Sequence, residues 1–317
     1  MRFRFQPWQL AVVLVALCAA VLAGIYVYRV RGGSNPAALV SYLPTAHATV
    51  VYLDVDALRR SGLLNMIAGS KATQELEYQV FVGETLFDYR QDLDAIAAAF
   101  KDDQVFFVLR GRFHWKNLRE YAKNQGGSCN NSFCKMPASR PHRQISFYPL
   151  KPDLMAMAVS QDDSAAYQIV RKSGNLSVPP FSQPVWMLVP AAALRNSDTL
   201  PPGTKPFASA LIEGTDEIVF TIGQDGDHLA LALNVLCRNT QTASTLLDSL
   251  EKTTATLRKW IEREHQQPNA ADWSGLLVAG SFRRENQRVF GQWPLSRAFV
   301  EAQFSDSSGV PPSEPRP

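Results

Sequence analysis

Residues 94–110 read DAIAAAFKDDQVFFVLR. Two apolar runs, 94–100 and 104–110, flank the charged triplet Lys101-Asp102-Asp103. Apolar runs this short, split by turn-forming residues, predict two antiparallel strands joined as a hairpin. Residues 49–54 (TVVYLD) read as a buried strand, and 55–68 follow as a helix with Leu58, Leu63 and Ile67 at helical spacing. A second helix is predicted over 73–85. On the other side come a helix over 115–124, patterned on Leu118, Tyr121 and Ala122, and strands over 145–150 and 154–160. Asp162 or Asp163 is placed to cap a further helix running to residue 171.

Residues 173–184 (SGNLSVPPFSQP) are rich in Pro, Gly and Ser and read as a linker. Beyond them the order of elements repeats. Residues 185–189 (VWMLV) form a strand, followed by a helical turn over 191–196. Strands over 217–222 and 228–237 are joined by the turn 223–227 (GQDGD). Residues 240–265 form a long helix with Leu246, Leu247, Leu250, Leu257, Trp260 and Ile261 at helical spacing. Strands over 276–283 and 288–293 and a helix over 295–304 complete the series. The expected architecture is therefore α+β. It has two similar lobes, 43–172 and 185–304, with mainly antiparallel sheets and helices on one face, ferredoxin-like in outline. Residues 305–317 (SDSSGVPPSEPRP) cannot bury a core and are expected to be disordered.

The N-terminus is of another kind. No charged residue stands between Arg4 and Arg29, and residues 10–28 (LAVVLVALCAAVLAGIYVY) are almost wholly apolar. At ~1.5 Å per residue such a helix roughly covers the ~30 Å hydrocarbon layer of a bilayer. Trp8 near one end and Tyr26 and Tyr28 at the other suit its two interfaces. The segment from Leu10 to Tyr28 reads as an uncleaved anchor within 1–31, followed by a tether over 32–42. A cleaved signal peptide is the competing reading, with Val21-Leu22-Ala23 as its processing site. Lipidation at Cys18 would require a small residue where Leu17 stands, and a buried core helix is the last alternative. Arginines flank both ends, and the bias slightly favours a cytoplasmic N-terminus, with the rest outside the cytoplasm.

The formal net charge is +3, and the anchor region supplies it. Arg2, Arg4, Arg29 and Arg31 are four of the 32 basic residues; without them the chain falls one short of its 29 acidic residues. A near-neutral body gives no reason to expect nucleic acid as a partner. Cys129 and Cys134, in the loop-like GGSCNNSFCKMP, read as a small disulfide in an oxidising compartment; free thiols or a metal site are the alternatives. Cys237 ends an apolar run and reads as a buried thiol.

Motifs for chemistry are sparse. Glu84, Asp88 and Asp92 recur every fourth residue and would share a helix face that could serve acid/base work, but a solvated face with Arg90 nearby is the preferred reading. Asp54 and Asp56 follow the first strand, where helix capping accounts for at least one. Asp225-Gly226-Asp227 lacks the remaining ligands of a calcium loop. His47, His114, His142, His228 and His265 form no zinc-type pair. Neither a nucleophile elbow nor a phosphate-cradling glycine loop is present. Arg110-Gly111-Arg112 and Arg283-Arg284 follow strands at similar places and are candidates for an anionic group. Phe133, Phe147, Tyr148, Trp186 and Trp293 are either core or ligand-facing.

Several stretches, namely Leu43-Pro44, TVVYLDVDALRR, FDYRQDLDAIAAAF, the RGRF segment and RPHRQISFYPL, resemble an uncharacterised family of membrane-anchored bacterial envelope proteins. That resemblance implies a bacterial source, an envelope location and a non-enzymatic role, and carries over no functional residues. The expectation is a non-catalytic binding or scaffold protein of the bacterial inner membrane, single-pass, with its folded part in the periplasm or outside. No cofactor is expected; the expected partners are membrane lipid through the anchor and either an envelope protein or a lipid-like ligand between the lobes. The alternative is an envelope hydrolase whose site is assembled from distant residues.

Overall fold

The computed structural model describes residues 35–65, 75–170, 183–190, 214–225, 228–264 and 267–305. The anchor expected over Leu10 to Tyr28 and the C-terminal tail lie outside them. Among the described residues no helix is long and apolar enough to cross a membrane.

The hairpin that decided the class is present. Strand β2 (Leu93–Lys101) pairs antiparallel with β3 (Gln104–Gly111), and Lys101 faces Gln104 across the two-residue turn Asp102-Asp103. Asp102 sits at φ 52°, a left-handed conformation that Asp tolerates better than most residues. Strand β1 (Thr49–Asp54) pairs with the other side of β2. β3 is followed in the sheet by β7 (Leu154–Ser160), β6 (Gln144–Lys151), β5 (Phe133–Pro137) and β4 (Ser128–Asn130). The cysteine segment, expected as a loop, is this last hairpin, β4–β5.

The separate lobes are not found. Strand β8 (Val185–Pro190) pairs antiparallel with β1, placing Trp186 opposite Tyr52 and Leu188 opposite Val50. β9 (Thr215–Asp225), β10 (His228–Cys237), β12 (Arg288–Leu295) and β11 (Ser281–Glu285) continue outward from β8. The result is one sheet of 12 strands with antiparallel neighbours throughout. The β1–β8 seam joins the two expected lobes edge to edge. The ferredoxin-like outline also fails, because β1, β2 and β3 lie side by side as a meander instead of splitting around a crossover. Strand order outward from the seam is alike on both sides, but helix lengths differ and β4–β5 is unmatched, so no clear duplication results.

Most helices pack on one face. There α2 (Val55–Arg60) covers Leu53 and Ile96, and α5 (Trp115–Asn124) covers Phe147 and Met155. Helix α3 (Leu76–Thr85) packs beside α5 through Phe81 and Tyr121, with α4 (Tyr89–Asp92) following it. Farther along the same face, α6 (Thr240–Arg263), α7 (Trp273–Val278) and α8 (Arg297–Ser305) follow. Leu246 and Leu250 of α6 are buried with Ile218, Leu233 and Val289 of the sheet. Residues 276–278, expected as part of a strand, are the end of α7. Asp272 caps that helix by accepting from the N–H groups of Ser274 and Gly275, so the run starts helically.

The opposite face is lined by Ala95, Ala97, Ala99, Ala156 and Ala158, all fully buried. Two short elements lie on it: α1 (Pro36–Val40) and a 3-10 turn (Ala165–Gln168), the latter where a helix to residue 171 was expected. Leu39, Val40 and Leu43 enter this core at 1%, 1% and 0% exposure. The tether expected to reach residue 42 therefore stops before Pro36, whose ring suits the first turn of a helix.

Candidate functional site

At one end of β1, β2 and β3 the charged residues singled out in the sequence do meet. Asp54 ends β1 and caps α2, accepting from the Ala57 N–H at 2.9 Å. One turn on, Arg59 donates to the Arg90 carbonyl at 2.6 Å, to the Leu93 carbonyl, and to Asp56 at 3.0 Å. A single guanidinium thus ties α2 to the start of β2. Glu84, Asp88 and Asp92 do not share a helix face, because α3 stops at Thr85 and Leu86 turns left-handed at φ 57°. Asp88 is instead the cap of α4, accepting from Arg90 N–H at 2.9 Å and from the Tyr78 hydroxyl at 2.8 Å. Asp92 accepts from Asp88 N–H at 2.9 Å and pairs with Arg112 at 3.0 Å.

Burial pushes the carboxyls of Asp54 and Asp94 above the usual range, the Ala57 N–H pulling Asp54 partly back. Burial together with the Asp88 carboxylate likewise raises the Tyr78 hydroxyl. Most of these acids are committed to backbone N–H groups or guanidinium groups, and the cluster holds strand and helix ends together. The two arginine pairs are not equivalent. Arg110 faces Asp153 at 3.9 Å in mid-sheet, whereas Arg283 lies at the β11 edge, 4.3 Å over the Phe290 ring and paired with Glu285. His47, His114 and His142 are scattered, and the side chains of His228 and His265 and the turn 226–227 lie outside the description. Among the described residues no three metal-ligating side chains converge.

A second assembly was not legible in the sequence. It lies on the alanine face, where β5, β6 and β7 run side by side. Register places Pro137, Gln144 and Ser160 in one row across the three strands, and Lys135, Ser146 and Ala158 in the next. Side chains of a row share a face, and here they hold down the segment leaving β7. The Ser160 hydroxyl accepts from Asp162 N–H at 3.1 Å, and the buried Ser146 hydroxyl accepts from Ala166 N–H at 3.1 Å. The Lys135 ammonium reaches Asp163. Asp162 folds back to accept from the hydroxyl and N–H of Ser164, and these bonds hold its carboxyl below the usual range.

Between this crossing segment and the start of β4 lies an open groove of about 650 Å³, with Lys135, Gln144, Gln161 and Asp163 among its walls. Gly127 forms part of its rim, and only glycine fits there: a Cβ would stand 2.2 Å from the Lys135 carbonyl oxygen. Two residues along β5, on the same face as Lys135, Phe133 stacks on Tyr167 of the 3-10 turn with ring centres 4.1 Å apart. Tyr167 remains 58% exposed. Tyr148 braces the turn from beneath through its hydroxyl, which donates to the Ile169 carbonyl at 2.7 Å. The other aromatics belong to the core: Phe147 lies under α5, Trp186 stacks on Tyr52, and Trp293 meets Phe282 edge-on.

The β4–β5 hairpin carries the disulfide Cys129–Cys134, an S–S bond of 2.04 Å between directly facing residues. Cys237 is a buried free thiol whose pKa burial raises. In the second half, a smaller apolar recess of about 330 Å³ lies among Leu276, Ala279, Leu295 and Phe299, between α7, α8 and the end of β12.

No family model matches the chain, and no curated protein matches it. Among solved structures it is similar to TP0453 in crystal forms I, IV and III. Form I gives 9% identity and a TM-score of 0.46, over 84% of this chain and 96% of that one. Forms IV and III give TM-scores of 0.43 and 0.42 at the same identity.

Proposed function

We propose that this chain is a membrane-tethered, non-catalytic binding protein of the bacterial envelope, with its N-terminus in the cytoplasm and its folded body in the periplasm or outside. The observation that carries this reading is where the fold begins. Leu39, Val40 and Leu43 are core residues, so only residues 29–35 separate the apolar run ending at Tyr28 from the folded body. At ~3.3–3.6 Å per residue that connection spans about 25 Å at most. The folded body is thus attached within that short reach of the bilayer. The Cys129–Cys134 disulfide suits an oxidising compartment. The resemblance to membrane-anchored envelope proteins points the same way.

The partner is an envelope protein or a lipid-like ligand, and the apolar recess beside Phe299 is the better-suited place for the latter. A hydrolase would want free carboxylates converging on a cavity. Support for a binding role comes from Asp54, Asp88 and Asp92 acting as caps and ion-pair partners. In vivo crosslinking of the full chain, with identification of the captured species, tests the proposal: an envelope partner is expected. Recovery of none, or protection of the folded body from protease in spheroplasts, overturns it.

A further inference from the structure

We propose that the groove beside the β5–β6–β7 rows is a saccharide-binding site, taking a short, uncharged oligosaccharide whose terminal ring lies against Tyr167. This goes beyond the partners and the recess named above, and rests only on the wider binding role. Four observations carry it. The walls hold two primary amides, Gln144 and Gln161, neither of which makes a side-chain hydrogen bond to a described residue. An amide offers a donor and an acceptor together, the complement of a hydroxyl, which is also both.

The charged groups in the walls, Lys135, Asp162 and Asp163, sum to a single negative charge. The Lys135 ammonium is paired with Asp163, and Asp162 already accepts two bonds from Ser164. Such a lining offers donors and acceptors to polar groups but no net positive field for a phosphate or carboxylate.

An aromatic platform stands two residues from Lys135 on the same face of β5, outside the groove walls. Phe133 occupies one face of the Tyr167 ring, while the residue stays 58% exposed. A rigid ring backed by Phe133, flanked by Tyr148 at 5.7 Å and still more than half exposed suits the C–H face of a sugar, because it gives apolar contact without a charge.

The fourth observation decides between a sugar and a peptide. A peptide strand would add itself to a free sheet edge. Beside the groove β4 already pairs with residues 133–135, and β5 ends at Pro137, which has no N–H to donate. The remaining edges, Met136-Pro137 and the outer side of the three-residue edge strand β4, are too short for strand addition. The groove is also formed in advance, because Ser146, Ser160 and Lys135 fix the crossing segment and Gly127 allows β4 to approach β5. Less ordering entropy is then lost on binding.

The test is saturation-transfer NMR on the full chain in lipid nanodiscs, with three probes: a β-1,4-linked N-acetylglucosamine tetramer, maltotetraose and tetra-alanine. Saturation transfer to the ring protons of at least one saccharide is expected. Affinity should weaken about tenfold or more in Gln144→Ala/Gln161→Ala and again in Tyr167→Ala, with thermal midpoints near that of the unsubstituted chain. Transfer to neither saccharide, equal affinity in all variants, or binding of tetra-alanine alone overturns the proposal. The crosslinking experiment keeps the two ideas apart. An envelope partner still captured by a Gln144→Ala/Gln161→Ala chain, with no saccharide bound by the unsubstituted one, sinks the groove assignment and leaves the wider role standing.

Discussion

The two halves of the sheet bury their cores by different means. In the first half the face carrying α1 and the 3-10 turn is paved with Ala95, Ala97, Ala99, Ala156 and Ala158, and the elements lying on it are five and four residues long. In the second half a 24-residue helix, α6, sets Leu246, Leu250 and Ile261 against the sheet side. Short elements present few side chains, so they gain burial by approaching the sheet closely, and the alanines leave room for that approach between Tyr52, Phe106 and Val108. A long helix presents large side chains and needs large partners. The first arrangement is sensitive to added volume and the second to lost volume.

The largest expected effect breaks the comparison from the second side. Leu250 is fully buried, so Leu250→Ala is expected to cost about 2–5 kcal/mol in urea unfolding. Because β1–β8 makes one sheet, fluorescence of Trp186 in the first core and of Trp293 in the second should report a single shared transition. Separate midpoints would mean the halves are stable alone, and the seam merely a contact.

Next in size is added volume in the first half. Ala97→Leu is expected to destabilise by about 1–3 kcal/mol through overpacking under α1. Ala232→Leu, on the same face in the second half at a half-buried position, should cost much less by the same measurement. Equal costs would remove the distinction between close-laid and open cover.

The smallest effect concerns pH, and the two acids shifted upward both lie in the first half. Burial raises Asp54 and Asp94, so between the unfolded carboxyl pKa of ~3.9 and the higher folded value the native state holds more protons. Stability contributed by these groups therefore falls as pH rises through that window. Asp54→Asn keeps an acceptor for the Ala57 N–H and removes one ionisation. At pH 7 it should be neutral to a few tenths of a kcal/mol stabilising, with a flatter pH slope in urea titrations. An unchanged slope would place the effect elsewhere.

Local chemistry made some of this visible in advance. The hairpin β2–β3, the strand β1 and the long helix α6 each follow from periodicity and turn residues within a short window. Residues 276–278 were misread because three apolar residues suit a strand or a buried helix equally, and the deciding cap, Asp272, lies upstream. The β4–β5 hairpin was missed because its strands are short and show no clear alternation, and its pairing is marked mainly by a facing cysteine pair. In the groove, Lys135, Gln144 and Gln161 come from three parts of the chain and show no shared pattern in sequence; register alone brings them together.

By itself the sequence determined the α+β class, the apolar N-terminal run, the near-neutral remainder and the cysteine pair, since each depends on composition or on neighbours along the chain. Tertiary structure alone decided that the halves share one sheet, that Glu84, Asp88 and Asp92 divide between separate elements, and that a polar groove lies beside Tyr167. These depend on which strand edges meet, a choice made by burial between residues as distant as Tyr52 and Trp186, and no local preference encodes it.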